Sequence, residues 1–311
     1  MRVDAAPAKQ GPARERGSIA ILALWGVAVI ALLLVAAAFT TRGEVLIARN
    51  AIAASRARAA AEAGVQLGLA RLLRRRHDAA TVFHGTPEPW QDGSTRVTIA
   101  IVDEAGRIDI NQAPFDLLTG LFTAIGRPRD EAVLLACNIL DRRGDPTPAC
   151  PEPAGAGIPA PRRDYRFAAP EELAQLPGFD DFLYDSIADL ITVASGASAI
   201  DPTVAPRAVL LALPGATEAL VDSYLSSRAM WRDLAVAGTA LKTLPSSPLL
   251  MASPRREFTI QAVAATADRA RYRADLQIRL TDQAHQPYVV LAWRAPPVER
   301  NQWVPSVRRA P

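Results

Sequence analysis

The longest pattern in this chain is an apolar stretch that leads into an amphipathic one. Residues 18–39 carry no charge, and as a helix they would extend about 33 Å, enough to cross a bilayer. Residues 40–76 are rich in alanine, leucine and arginine, which favour helix, and four apolar residues recur on one face: Val65, Leu69, Leu72 and Leu73. The pattern therefore predicts one long helix, with a transmembrane first part and an amphipathic continuation.

Alternating apolar and polar positions predict β-strands on both sides of a helical block. Residues 77–110 contain two such segments, at Thr81–His84 and Thr95–Val102. Residues 254–296 contain three more, at Glu257–Ala265, Tyr272–Thr281 and Tyr288–Arg294. Residues 297–311 have three prolines and little apolar pattern, which indicates a flexible tail.

The helical block, residues 111–253, contains an internal repeat at a spacing of 92 positions. Ile108–Pro114, followed by a leucine pair, matches Ile200–Pro206, followed by Val209 and Leu210. In each copy a short extended piece is followed by proline in the first turn of a helix. Leu-Pro-Gly occurs at residues 176–178 and 213–215, and Pro-Gly breaks a helix, so the repeat predicts helical hairpins.

Composition excludes several classes of protein. Of 311 residues, 50% are hydrophobic and 22% are charged, which excludes global disorder and a small disulfide-stapled scaffold. Only one stretch is long enough to span a bilayer, so a polytopic membrane protein is excluded. The formal net charge of +3 is a weak indication of a nucleic-acid partner.

The first 17 residues read as a leader. They hold four basic and two acidic residues, and this positive bias predicts a cytoplasmic N-terminus and a translocated remainder. A secretory signal peptide is the alternative, but the apolar run exceeds the usual length of about 7–15 residues. Gly17 stands at the junction, directly before Ser18.

Neither catalysis nor DNA binding is favoured by the motifs. The three histidines are scattered, and no metal-binding pair, P-loop or nucleophile elbow occurs, so no enzyme is predicted.

Helix-hairpin-helix modules bind phosphates through backbone amides, which makes a DNA-handling protein the alternative function. Phe179 and Ala216 replace the expected residues after Pro-Gly, and the acidic segment 180–185 would repel phosphate.

Two further sets of side chains are candidates for a site. Cys137 and Cys150 are the only cysteines; an extracytoplasmic location would permit a disulfide between them, and two separate thiols are the alternative. Four acidic residues surround the Pro- and Gly-rich loop after the first hairpin, which makes a calcium site chemically reasonable and a solvated scatter of charges the alternative. These four residues are Asp141, Asp145, Glu152 and Asp164.

Several separate segments together resemble one family. They are Arg16-Gly17 before Ser18–Trp25, Ala61–Val65, Asp103–Pro114, Pro170–Leu173 before Leu176–Gly178, and Pro287–Arg294. In this order they resemble GspK, the K-type minor pseudopilin of type II secretion systems, over most of the chain. Most pseudopilins carry Glu where this chain has Leu22, and K-type members characteristically lack it.

The resemblance implies an α+β fold: a pilin-like fold with a long N-terminal transmembrane helix and an antiparallel sheet, interrupted by a large inserted α-helical domain with helical hairpins. The expected parts are a prepilin-type leader at 1–17, a transmembrane helix at 18–39, its continuation at 40–76, a split β domain at 77–110 and 254–296, an inserted domain at 111–253 and a tail at 297–311.

The resemblance also implies a function. The expected protein is a non-enzymatic minor pseudopilin at the tip of the pseudopilus, where it initiates or caps assembly for protein export across the outer membrane. Its expected partners are the I- and J-type minor pseudopilins, the major pseudopilin, the prepilin peptidase and the inner-membrane assembly platform. It would cross the inner membrane once, with its C-terminal domain in the periplasm.

The residues carried over are few. Cleavage after Gly17 would leave Ser18 as the methylated N-terminus. The family's helical domain can bind calcium through an acidic loop, and the matching stretch here runs from Asp141 to Asp145, with Arg142 and Arg143 where further acids are expected.

Overall fold

The computed structural model describes residues 15–76, 81–145, 147, 149, 150, 165–230 and 247–296. The chain divides into two compact units, one up to Ser55 and one from Arg56 onward. Helix α1, Glu15–Arg75, contributes to both units. The leader before Glu15 and the tail after Pro296 lie outside the described residues.

In the first unit the large apolar side chains of α1 between Ile21 and Val35 are solvent-exposed. Leu22 and Trp25 are 71% and 67% exposed, and the other large apolar side chains between Ile21 and Val35 are exposed as well. Across the described part of the chain, no helix combines the length and the hydropathy that a membrane crossing requires. The transmembrane helix predicted at residues 18–39 is therefore not supported.

The second unit combines helices with an antiparallel sheet. In chain order its further elements are β1 Glu88–Asp92, β2 Thr95–Asp103, β3 Ile108–Asp109, α2 Phe115–Ala124, α3 Arg129–Arg143, α4 Asp181–Ile187, β4 Ile191–Thr192, α5 Arg207–Leu211, α6 Glu218–Met230, β5 Glu257–Ala265, β6 Arg271–Leu280 and β7 Tyr288–Arg294. Short 3₁₀ helices occupy Glu104–Gly106 and Pro170–Gln175.

Five of these strands form one antiparallel sheet in the order β1-β2-β5-β6-β7. Strands β2 and β5 pair directly, from Arg96 opposite Ala265 to Asp103 opposite Phe258, although the whole helical block lies between them in sequence. The strands after residue 254 form where alternation predicts them. Before residue 110 the prediction is partly wrong: His84 makes only an isolated bridge to Val102, and the edge strand is β1, which has no apolar alternation.

The part of helix α1 that belongs to the second unit covers one face of this sheet. Val65, Leu69 and Leu72 are buried against it, which confirms the predicted apolar face. At Gly68 an added Cβ would lie 2.6 Å from Ile260 Cγ2. The glycine that weakens the isolated helix by about 1 kcal/mol is therefore the residue that lets the helix approach the strands.

The repeat of 92 positions is a structural duplication. In the first copy β3 pairs in parallel with β4, and in the second Ile200 pairs in parallel with Leu250. An arginine on the second helix of each copy closes the copy: Arg143, on α3, donates to the carbonyls of Ile110 and Ala113, at 3.0 Å each. In the second copy Arg228 donates to the carbonyls of Pro202 and Ala205, at 2.8 and 2.6 Å. Pro202 and Ala205 lie 92 positions after Ile110 and Ala113.

The two copies touch at equivalent residues. Gly120 in α2 and Ala212, which ends α5, are themselves 92 positions apart, and a Cβ added to Gly120 would lie 1.9 Å from the carbonyl oxygen of Ala212. The neighbouring atom belongs to the backbone, so no side-chain rotation relieves the overlap. Glycine is required here by the close approach of the two copies.

We expect Gly120→Ala to lower the free energy of unfolding. Alanine gains about 1 kcal/mol of helix propensity, but overpacking a buried contact costs about 1–3 kcal/mol, and here the contacted atom is backbone. Gly26→Ala is the matched control, because its added Cβ meets nothing within 4 Å. Denaturant unfolding that shows both variants to be as stable as the original chain would contradict this packing.

Candidate functional site

The predicted cleavage junction lies inside helix α1. Gly17 and Ser18 are the third and fourth residues of the helix that begins at Glu15. The rest of the leader lies outside the described residues. Cleavage after Gly17 and methylation of Ser18 therefore stay predictions.

The two cysteines lie together in the structure. Cys137, on α3, is joined to Cys150 by a disulfide, and the described part of the chain has no free cysteine. In the chain-entropy model, closing so short a loop adds about 3 kcal/mol to the free energy of unfolding. The bond ties the end of the first hairpin to the loop that follows it.

The candidate calcium ligands are not brought together in the described residues. Asp141 and Asp145 are exposed, and Asp145 pairs with Arg143 at 3.1 Å. Glu152 and Asp164 lie outside the described residues. Among the residues that are described, no group of three or more His, Cys, Asp or Glu side chains could hold a metal ion. Calcium binding stays a prediction that depends on the rest of the loop.

A buried junction forms where the helical block leaves and rejoins the sheet. Ser253, on the returning segment, donates its Oγ to Asp103 at 2.7 Å and its backbone N–H to Asp201 at 2.6 Å. Asp103 is only 4% exposed. Burial raises the pKa of Asp103 to about 6; the hydrogen bonds from Ser253 and the Ala105 amide oppose the shift, and the charges of Asp201 and Glu104 add to it.

The repeat carried a signal for part of this junction. Asp109 and Asp201 are equivalent residues, and each accepts backbone N–H bonds from the segment that follows its parallel partner: Asp109 from Gly196 at 2.7 Å, and Asp201 from Ser253. Such matched aspartates could be found from the sequence. The contact with Asp103 could not, because Ser253 and Asp103 are 150 positions apart.

A second feature is a polar cleft between the helical block and the uncovered face of the sheet. We use this name for a cavity of about 530 Å³. Strands β5 and β6 and the end of β7 form one side of it, and α4, β4 and the segment at Glu104 form the other. Its sheet side includes Thr259, Gln261 and Gln277, and its helical side includes Tyr184 and Asp189. Sequence reasoning missed it, since its lining comes from segments with no common spacing.

Ion pairs line the cleft, and the one between Arg273 and Asp189 crosses it. Arg273 pairs with Asp275 at 2.8 Å and with Asp189 at 3.6 Å, and Arg107 lies 3.0 Å from Glu104. Burial raises the pKa of Asp275, and Arg273 opposes the shift. Burial, together with Glu171, raises the pKa of Tyr184 to about 12, so its hydroxyl stays neutral. The cleft therefore offers charged and hydrogen-bonding groups on both of its sides.

The hairpin turns do not resemble a phosphate-binding surface. After Gly178, Asp180 caps α4 by accepting the N–H of Leu183 at 2.6 Å, and Asp181 follows in its first turn. These carboxylates lie directly after the Pro-Gly turn, and their negative charge repels a phosphate. The DNA-handling alternative is not favoured.

Comparison with known proteins gives a likeness among solved structures. No protein-family model matches the sequence, and no curated protein does. A chain in the crystal structure of the GspK-GspI-GspJ complex from the enterotoxigenic Escherichia coli type 2 secretion system is similar, with a TM-score of 0.50 and 13% identity. The match covers 83% of this chain and 99% of that one. At this identity the likeness concerns the fold, and at that level it agrees with the resemblance to GspK seen in the sequence.

We expect the stability of the chain to depend on the charge of Asp103. An unfolded Asp has a pKa of about 3.9, and the folded value is about 6, so the folded state binds this proton more tightly. The contribution of this proton to the free energy of unfolding is fully present below about pH 4 and is lost as the pH rises through about 6. At 1.4 kcal/mol per pKa unit the loss is about 2–3 kcal/mol.

The measurement is denaturant unfolding of the original chain and Asp103→Asn at about pH 4 and pH 7.5. Asparagine stays neutral, so the free energy of unfolding of the variant should rise by about 2 kcal/mol relative to that of the original chain between the two pH values. Asp141→Asn, at an exposed position, is the control and should show no such change. Equal differences at both pH values would mean that Asp103 is not protonated in this range.

Proposed function

We propose that this chain is a K-type minor pseudopilin of a type II secretion system, placed at the tip of the pseudopilus, where it initiates or caps assembly for protein export across the outer membrane. The observation that carries the proposal is the topology: a long N-terminal helix covers a sheet whose neighbouring strands β2 and β5 are separated in sequence by a helical block. The similar fold belongs to a chain crystallised in a GspK-GspI-GspJ complex. In this proposal the chain acts as a structural component rather than as a catalyst.

Assembly would cover the apolar surface of α1. The exposed side chains between Ile21 and Val35 cost free energy in water, about 25 cal/mol for each Å² of apolar area. In a pilin-like filament such helices pack against those of neighbouring subunits, and this packing removes that cost. The I- and J-type minor pseudopilins and the major pseudopilin are the proposed neighbours.

Leu22 supports a position at the tip. Where other pseudopilins carry Glu, the resemblance implies that this carboxylate pairs with the terminal amine of the subunit added before it. A first subunit has no such neighbour above it, and an unpaired buried charge is expensive. An apolar residue avoids this penalty, and the helical block would obstruct a further subunit.

The proposed location is the periplasmic side of the inner membrane, followed by the tip of the pseudopilus. The bond between Cys137 and Cys150 supports it, because disulfides persist in the oxidising periplasm and are rare in the cytosol. Processing would require the prepilin peptidase, and export to the filament would require the inner-membrane assembly platform.

The tip position is tested by immunogold labelling of assembled pseudopili. We expect gold at one end of each filament, both for the original chain and for Leu22→Glu, because a first subunit makes no use of the pairing that the glutamate provides. A tagged major pseudopilin is the control and should label the whole length. Gold along the whole filament for the original chain would overturn the tip assignment.

Processing is tested by the intact mass of the chain expressed with a prepilin peptidase. We expect the loss of residues 1–17 and one added methyl group on Ser18, and the unprocessed mass when the peptidase is absent. A mass that corresponds to cleavage after the apolar run, near Ala38, would instead indicate a secretory signal peptide.

A further inference from the structure

The polar cleft holds more negative than positive charge. Five acidic and three basic residues line it. Each arginine has one nearest carboxylate: Glu104 for Arg107 at 3.0 Å, Asp275 for Arg273 at 2.8 Å, and Glu171 for Arg294 at 3.6 Å. The charges of Asp185 and Asp189 remain in excess.

These two aspartates lie where an α-helix disfavours negative charge. Asp185 is in the last turn of α4, and Asp189 follows two residues after its end. The C-terminus of a helix carries a partial negative charge, which favours cations there. Asp189 lies between Arg273, at 3.6 Å, and Arg107, at 4.0 Å, whereas Asp185 is exposed and makes no ion pair within the described residues. The end of α4 therefore provides a cation site that the chain itself fills only in part.

Two buried polar atoms of residues that line the cleft lack a hydrogen-bond partner in the structure. The side chain of Glu104 is 0% exposed, and only its Oε1 is bonded, to Arg107. Its Oε2 has no hydrogen-bond partner, and neither has Arg107 Nε. A buried polar atom without a partner costs about 1–3 kcal/mol, and here one acceptor and one donor are left together in the wall of one cleft.

The remaining lining fits a peptide better than an ion. The described residues provide no group of three ligands for a metal ion, and the excess negative charge disfavours an anion. Gln261 and Gln277 line the cleft and make no side-chain hydrogen bond among the described residues, so their amides can both donate to and accept from a peptide backbone. Tyr184 presents an aromatic ring, on which a guanidinium stacks.

We propose that the polar cleft binds an arginine side chain carried by an extended segment of a partner protein. The guanidinium lies at the end of α4 between Asp185 and Asp189, and the adjoining peptide groups meet the amides on the sheet side. This inference goes beyond the proposed function and holds whether or not the chain is a pseudopilin.

The test uses the purified full-length chain and two peptides, acetyl-Gly-Arg-Gly-amide and the same peptide with citrulline, which keeps the shape of arginine and removes its charge. Calorimetric titration should give saturable binding of the arginine peptide, and binding of the citrulline peptide should be at least about tenfold weaker. Asp185→Asn and Asp189→Asn should each weaken arginine-peptide binding by about tenfold. Asp181→Asn, on the same helix and outside the cleft lining, should bind like the original chain.

Equal binding of the two peptides, no saturable binding of either, or unchanged binding by Asp185→Asn would overturn the proposal. Asp185→Asn is decisive if Asp189→Asn unfolds, because Asp185 has no ion pair among the described residues to lose. Immunogold labelling of the same variants separates the two proposals: arginine binding without tip labelling refutes only the pseudopilin assignment, and tip labelling without arginine binding refutes only the cleft.

Discussion

The pairing of β2 with β5 is the constraint on which the rest of the second unit depends. It joins Arg96–Asp103 to Phe258–Ala265 in continuous register, and paired strands lie about 4.8 Å apart. Both ends of the helical block are thereby fixed side by side at one end of the sheet. The entropic cost of closing a connection grows only slowly with its length, so the pairing tolerates a large block. The block must, however, begin and end at the same place.

Duplication meets this requirement. Each copy leaves on a short strand, turns through a helical hairpin and returns to a parallel partner, β4 in the first copy and the bridge at Leu250 in the second. The second return places Ser253 beside Asp103, where the block left the sheet. The duplicated architecture and the buried hydrogen bonds of the junction are two consequences of the same pairing, and the raised pKa of Asp103 follows from burying a carboxylate at that point.

The sequence predicts what local patterns determine and misses what distant contacts determine. The buried face of α1, the strands after residue 254 and the repeat all follow from spacing, and all are present. Strand β1, with the sequence Glu-Pro-Trp-Gln-Asp, has no alternation to reveal it; it is a strand because β2 offers an edge. Gly68 and Gly120 read as weak points of helices because their partners, Ile260 and Ala212, are far away in sequence.

The polar cleft follows from the same division of the chain. The apolar residues form two separate clusters, one inside the helical block and one between α1 and the sheet, so the surface where the block meets the sheet is left to polar side chains. Exposed ion pairs contribute about 0–1 kcal/mol each to the free energy of unfolding. The ion-paired side chains of the cleft range from the fully buried Glu104 to the half-exposed Asp189. The two clusters supply the hydrophobic stabilisation, and the exposed Asp185 makes no ion pair among the described residues, so its charge is free to be selected for what it binds. That freedom is why carboxylates can stand at the unfavourable end of α4, and why the cleft, rather than either core, is where recognition of a partner by charge would be placed.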